Sequence, residues 1–203
     1  MFFIREASED EMILEFLKGE ITSVRFGEDV KNALEKAGAD ESLVFGGDLS
    51  DGIQNELRRK VLGICRGYPD REIFENYPQD VKWSLVRFDT EDIDKLRYID
   101  YSYWNEISSG SSKPTDAALN VRKGVTVFNV PNDGFLSAAD AIGKTQFPPL
   151  IALTCDDNTL VLLEGHVRAT AYALKEGSLG GTFGYLGRCT HEAMKKKEPQ
   201  LIK

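Results

Sequence analysis

Phe147–Gly177 reads FPPLIALTCDDNTLVLLEGHVRATAYALKEG. The apolar run Leu150–Cys155 is short enough for a buried strand. Asp156-Asp157-Asn158 is turn chemistry of hairpin length, and Thr159–Leu163 is a second β-branched and Leu-rich run. Val167, Ala171 and Leu174 then fall at i, i+4 and i+7, one apolar helix face, and Gly177 suits the position just past a helix end. The stretch predicts strand, turn, strand, a one-glycine junction and a helix.

The junction carries the chemistry. Gly165 allows close approach to the backbone, and the first helical turn offers unpaired N–H groups at the positive end of the dipole. Gly165, His166, Val167 and Arg168 could therefore hold an anion such as phosphate, with the Arg168 guanidinium as a bidentate clamp. The same residues also fit a plain strand-to-helix junction in which Arg168 pairs with a nearby carboxylate. His166 is the candidate general acid or base beside this site. Glu164 is a candidate base or holder of a phosphate-bound metal ion; otherwise it pairs with Arg168 or caps the first turn.

PPLIAL…LVLLEGHVRATAYAL resembles the core motif of the ParB/sulfiredoxin-like superfamily, with Glu164-Gly165-His166-Val167-Arg168 as the box and Ala169, Ala171 and Ala173 as small helix positions. The resemblance is strong over about thirty residues and weaker from Trp83 to the C-terminus. It implies a small mixed sheet with flanking helices, and a box that binds nucleotide phosphates. A nucleoside triphosphate with Mg²⁺ is the implied cofactor, and phosphoryl transfer or phosphodiester cleavage the implied chemistry. Sulfiredoxins carry their catalytic Cys where this chain has His166, so that activity is not expected. The two adjacent arginines of the commonest ParB box are here Val167 and Arg168.

The 203 residues allow one large domain or one domain with an appendage, and 41% hydrophobic content supports a real core. A net charge of −8 argues against extensive non-specific binding of nucleic acid. Cys65, Cys155 and Cys189 are an odd, scattered set that builds no disulfide framework and fits a cytoplasmic protein. No apolar run is of membrane-spanning length, and the acidic start is no signal peptide. Cys189 and His191 lack a second pair at zinc spacing, so no metal site is expected.

Residues 1–78 read as helical, with a first helix capped by Ser8 and Glu11, a second over Asp29–Ala37 and a third capped by Ser50 and ending near Gly67. They form an appendage that packs on the main domain or on a protein partner. Pro78 marks the boundary of a second unit, 79–203, of α/β class with α+β also open. In it Trp83–Phe88 is a strand, a helix runs from Asp89 or Thr90 to about Ile99, and an aromatic knot of Tyr98, Tyr101, Tyr103 and Trp104 could be core or could stack a base. The loop ISSGSSKP, Ile107–Pro114, leads into a helix capped by Thr115. Ser111, Lys113 and Thr115 thus form a candidate second phosphate contact facing the same cleft as Arg168, or else a mobile surface loop. Thr126–Val130 predicts a strand, Ser137 a cap for a short helix, Thr182–Leu186 a strand and Thr190 a cap for the last helix.

Overall fold

The computed structural model describes residues 1–202. The chain is α/β, with strands β1 (Phe2–Ala7), β2 (Lys82–Arg87), β3 (Leu96–Arg97), β4 (Leu150–Thr154), β5 (Leu160–Glu164) and β6 (Phe183–Arg188). The helices are α1 (Glu9–Ile21), α2 (Gly27–Ala37), α3 (Ser42–Phe45), α4 (Gly52–Arg66), α5 (Ser102–Ile107), α6 (Pro114–Arg122), α7 (Asp133–Ala141), α8 (His166–Leu174) and α9 (His191–Lys197). The strands form one sheet in the order β1-β2-β6-β4-β5-β3. The β4/β6 and β3/β5 pairs are parallel and the others antiparallel, so the sheet is mixed.

Alternation along β4 and β5 explains the two-sided core. Ile151, Leu153, Val161 and Leu163 face one layer, while Leu150, Ala152, Leu160 and Leu162 face the other, and all eight are buried. The first layer is α1, α2 and α4, which bring Met12, Phe16, Leu17, Val30, Leu34, Val61 and Leu62 to that face. The second layer carries Tyr98, Ile107, Ala117, Val121, Phe135, Ala169 and Tyr172. Each large apolar side chain fully buried in these layers contributes about 1.5–3 kcal/mol.

Several boundaries differ from the sequence reading. Residues 1–78 pack on the 79–203 unit and are not all helical: β1 pairs with β2, and the N-terminal helices share one cluster with the central strands. β1 escaped the sequence reading because its Phe2, Phe3 and Ile4 are exposed on an edge and show no alternation. Asp51, not Ser50, caps α4, because its carboxylate accepts from both Ile53 N–H and Gln54 N–H. Residues 90–99 give a 3₁₀ turn over Thr90–Lys95 and then β3 instead of one helix. Thr126–Val130 is no strand, because Phe128 and Asn129 have φ of 52° and 57°. Ser137 lies inside α7, which starts at Asp133. Thr190 does cap α9, accepting from Ala193 N–H at 3.2 Å.

Candidate functional site

The predicted strand–glycine–helix junction is present. Gly165 is the N-cap of α8, with φ 100° and ψ 21° and no side chain to cap the first turn. The positive φ favours glycine, and a Cβ there would also press on Leu150 Cδ2, a buried side chain that would have to shift.

Arg168 is committed inward. Nη2 donates to Glu164 Oε1 at 2.7 Å, and Nη1 donates to the carbonyls of Pro149, at 3.0 Å, and Pro148. Both side chains of the ion pair are largely buried. The pairing of Arg168 with a nearby carboxylate, one of the two readings of the sequence, is the one realised. The guanidinium fork locks the Pro-rich entry to β4 onto the start of α8. Gly19 of α1 lets the first layer approach this pair: a Cβ there would lie 2.9 Å from Glu164 Oε1.

His166 occupies an aromatic stack. Its ring is 5.0 Å from Trp104 and 5.8 Å from Tyr98, within 21° of parallel to each, and Tyr98 and Trp104 are 4.7 Å apart. Thr170 donates to His166 O at 2.9 Å, so the Tyr98 hydroxyl donates to Thr170 Oγ1, at 2.6 Å. His166 Nε2 is buried without a hydrogen-bond partner. Burial, reinforced by the charges of Arg66 and Arg168, pulls the imidazole pKa down to about 3, so the ring is neutral at physiological pH. Arg66, one of these two charges, meets the buried Glu20 of α1, with Nε 3.0 Å from Oε1. Burial raises the Glu20 carboxyl to about 7, against the opposing pull of Arg66 and with a further push from Glu164. Arg66 and Arg25 both lie over the Phe26 ring, at 4.1 and 4.7 Å.

Beside the stack opens a cleft of ≈ 610 Å³. Its walls are mainly aromatic and aliphatic, with Tyr103, Trp104, Phe128, Val130, Phe135 and Val167, and Arg25 is its charged group. Val167 projects from the first turn of α8 and is 41% exposed, so it serves as cleft wall and not core. Of the aromatic knot, Tyr98 is core, Tyr103 and Trp104 face the cleft, and Tyr101 lines a different, polar depression with Glu72, Asp100 and Lys197. Arg25, Phe128 and Phe135 were missed by the sequence reading. Arg25 lies about a hundred residues before Phe128 and Phe135 in the chain, and Phe128 stood in an expected strand.

Ser111, Lys113 and Thr115 are absent from the walls of this cleft, as are Glu164, Gly165, His166 and Arg168, so Val167 is the box residue that lines it. The Ser111 hydroxyl donates to Ser108 O at 3.0 Å and accepts from Lys113 N–H, while Tyr98 N–H holds the loop at Ser112 O, at 2.7 Å. The loop is thus an internally bonded support for Tyr98. Lys113, not Thr115, is the N-cap of α6, because Pro114 has no N–H and fits the first helical position.

Among the described residues, no group of three or more His, Cys, Asp or Glu side chains is arranged to hold a metal ion, and no helix is long and apolar enough to cross a membrane. No protein-family model, no curated protein and no solved structure matches this chain. The ParB/sulfiredoxin-like reading therefore rests on the sequence resemblance of the Pro148–Leu174 stretch with its 164–168 box.

Proposed function

We propose that this chain is a nucleotide-binding protein of ParB/sulfiredoxin-like type, whose site is the aromatic cleft at the start of α8. The cleft itself carries the reading. Parallel and edge-on aromatic walls suit a planar base, which stacks on such surfaces for about 1–3 kcal/mol. Arg25 and the uncapped first turn of α8 suit its phosphates. In this reading Val167 and the first-turn N–H groups contact ligand, while Arg168 holds the frame that presents them.

The chemistry favours binding over turnover. His166 is neutral far below pH 7 and stacked, which suits it poorly to proton transfer, and Glu164 is engaged by Arg168. A magnesium ion carried by a triphosphate needs only one or two protein carboxylates. Glu164 Oε2 is the box's remaining oxygen for it, so a kinase-like or nuclease activity would have to route through that atom. A protein-interaction module is the second reading, because Phe128 is 64% exposed at the cleft rim beside exposed Val130 and Val167.

Calorimetric titration of ATP, AMP, adenosine and inorganic phosphate, each with and without Mg²⁺, tests the proposal. AMP and ATP are expected to bind, with Trp104→Ala weakening both by roughly five- to a hundred-fold. Arg25→Ala should weaken the nucleotides and spare adenosine. Phosphate binding alone, unaffected by Trp104→Ala, would reject the cleft as the site. A panel with no binder would leave the interaction module as the better reading.

A further inference from the structure

The two cysteines that follow β4 and β6 are neighbours. The parallel register runs from Leu150 opposite Gly184 to Thr154 opposite Arg188, so the next facing pair is Cys155 and Cys189. The ladder continues that far, since Cys189 N–H donates to Thr154 O at 3.0 Å. The Cys189 thiol also reaches Thr154 O, at 3.7 Å, the carbonyl bonded to the Cys155 nitrogen. Adjacent strands lie about 4.8 Å apart, inside the Cα separation of about 4.4–6.8 Å that a disulfide spans. Both side chains pack against the same cluster, that of the N-terminal helices, so they leave the sheet on one side. Both are free thiols of intermediate exposure, reachable by a small oxidant.

The geometry points to a reversible modification site: Cys155 and Cys189 form an intramolecular disulfide when the protein meets hydrogen peroxide. One thiolate attacks the peroxide O–O bond, giving a sulfenic acid and, from the leaving oxygen and a proton, water. The second thiolate attacks that sulfur and expels its oxygen as a second water. Overall two thiols lose two electrons and two protons, and the peroxide is reduced. The bond would close a loop containing β5, α8 and β6, and so would tie the candidate cleft's helix to the redox state of the chain. Burial raises the pKa of both thiols, that of Cys189 to about 11, so the reaction is slow at neutral pH and accelerates as pH rises. Cys65, on α4, is the internal control, its thiol pushed to about 12 by burial.

The test uses the full chain, treated with a small excess of hydrogen peroxide at mildly alkaline pH, then alkylated under denaturing conditions and mapped by mass spectrometry without reductant. The expected product is a monomer with one remaining alkylated thiol, Cys65, and a cross-linked peptide joining Cys155 to Cys189, reversed by dithiothreitol. Cys65→Ser should give the same cross-link, whereas Cys155→Ser and Cys189→Ser should give a sulfenic or sulfinic acid on the remaining partner. Oxidation of wild-type Cys155 and Cys189 to separate sulfinic acids, or cross-links only between chains, would overturn the site. So would two thiols that stay reduced while peroxide oxidises the methionines.

Discussion

The two faces of the sheet are built differently. The face covered by α1, α2 and α4 is built mainly of Met, Ile, Leu, Val and Phe from residues 12–74, and α4 also buries Arg58, which donates to Leu43 O and Asn55 Oδ1. The opposite face holds the aromatic stack, a buried imidazole nitrogen without a partner and an open cleft. One face supplies cohesion and the other is left incompletely filled, which is where a ligand gains most by completing the packing. The division is not absolute, because Gly19, Glu20, Arg25 and Arg66 of the cohesive layer reach round to the junction at Gly165.

The harshest way to break the comparison is to remove the cohesive layer. Residues 79–203 expressed alone would expose Ile151, Leu153, Val161 and Leu163 and lose β1. No cooperative thermal transition is expected from that fragment by circular dichroism. A soluble fragment that melts cooperatively would show that the cleft-bearing face is self-sufficient.

The next largest effects should come from the junction. Gly165→Ala adds strain at φ 100° and a clash with Leu150, and should cost about 2–4 kcal/mol in urea unfolding. Gly124→Ala, at φ 76° with open space around it, should cost only about 1 kcal/mol. Arg168→Ala strands Glu164 and two proline carbonyls, and should cost about 2–3 kcal/mol, with Arg168→Lys recovering only part. Nucleotide affinity of a folded Arg168→Ala protein should be close to wild type. A large, specific loss of affinity at unchanged stability would return Arg168 to the role of phosphate clamp.

The smallest and sharpest test is pH. Glu20 has a raised folded pKa, so its contribution is greatest below about 4.5 and is lost as pH rises toward 7. His166 has a depressed one, so its contribution is present above 6.5 and is lost as pH falls toward 3. Between pH 4.5 and 6.5 the two oppose each other. Relative to wild type, Glu20→Gln should lose stability on acidification across this window and His166→Gln should gain it, each by at most about 2 kcal/mol. Parallel melting profiles for all three proteins would mean that neither group titrates abnormally.

How much of this was legible in the sequence follows sequence distance. The β4–turn–β5–Gly–α8 unit was readable because its periodicity, turn and glycine lie within thirty residues. Thr190 as a cap was readable for the same reason. β1 was not, since its partner β2 lies some eighty residues on and its own residues do not alternate. The inward commitment of Arg168 was one of two readings that local sequence allowed. Choosing between them needed the Pro148 and Pro149 carbonyls, whose placement depends on how the chain enters β4. The cleft was least legible, because Arg25, Trp104, Phe128 and Val167 meet only through tertiary packing.

The position of β6 has a consequence for synthesis on the ribosome. It is the last of the six described strands in sequence order, yet it sits between β2 and β4 in the middle of the sheet. Until residues 183–188 emerge, β1–β2 and β4–β5–β3 are two ribbons whose inner edges face a gap. A nascent chain halted before Phe183 therefore presents two unpaired edges and unburied apolar faces, the kind of surface that recruits chaperones or aggregates. Emergence of residues 183–188 is the event that converts two ribbons into one sheet.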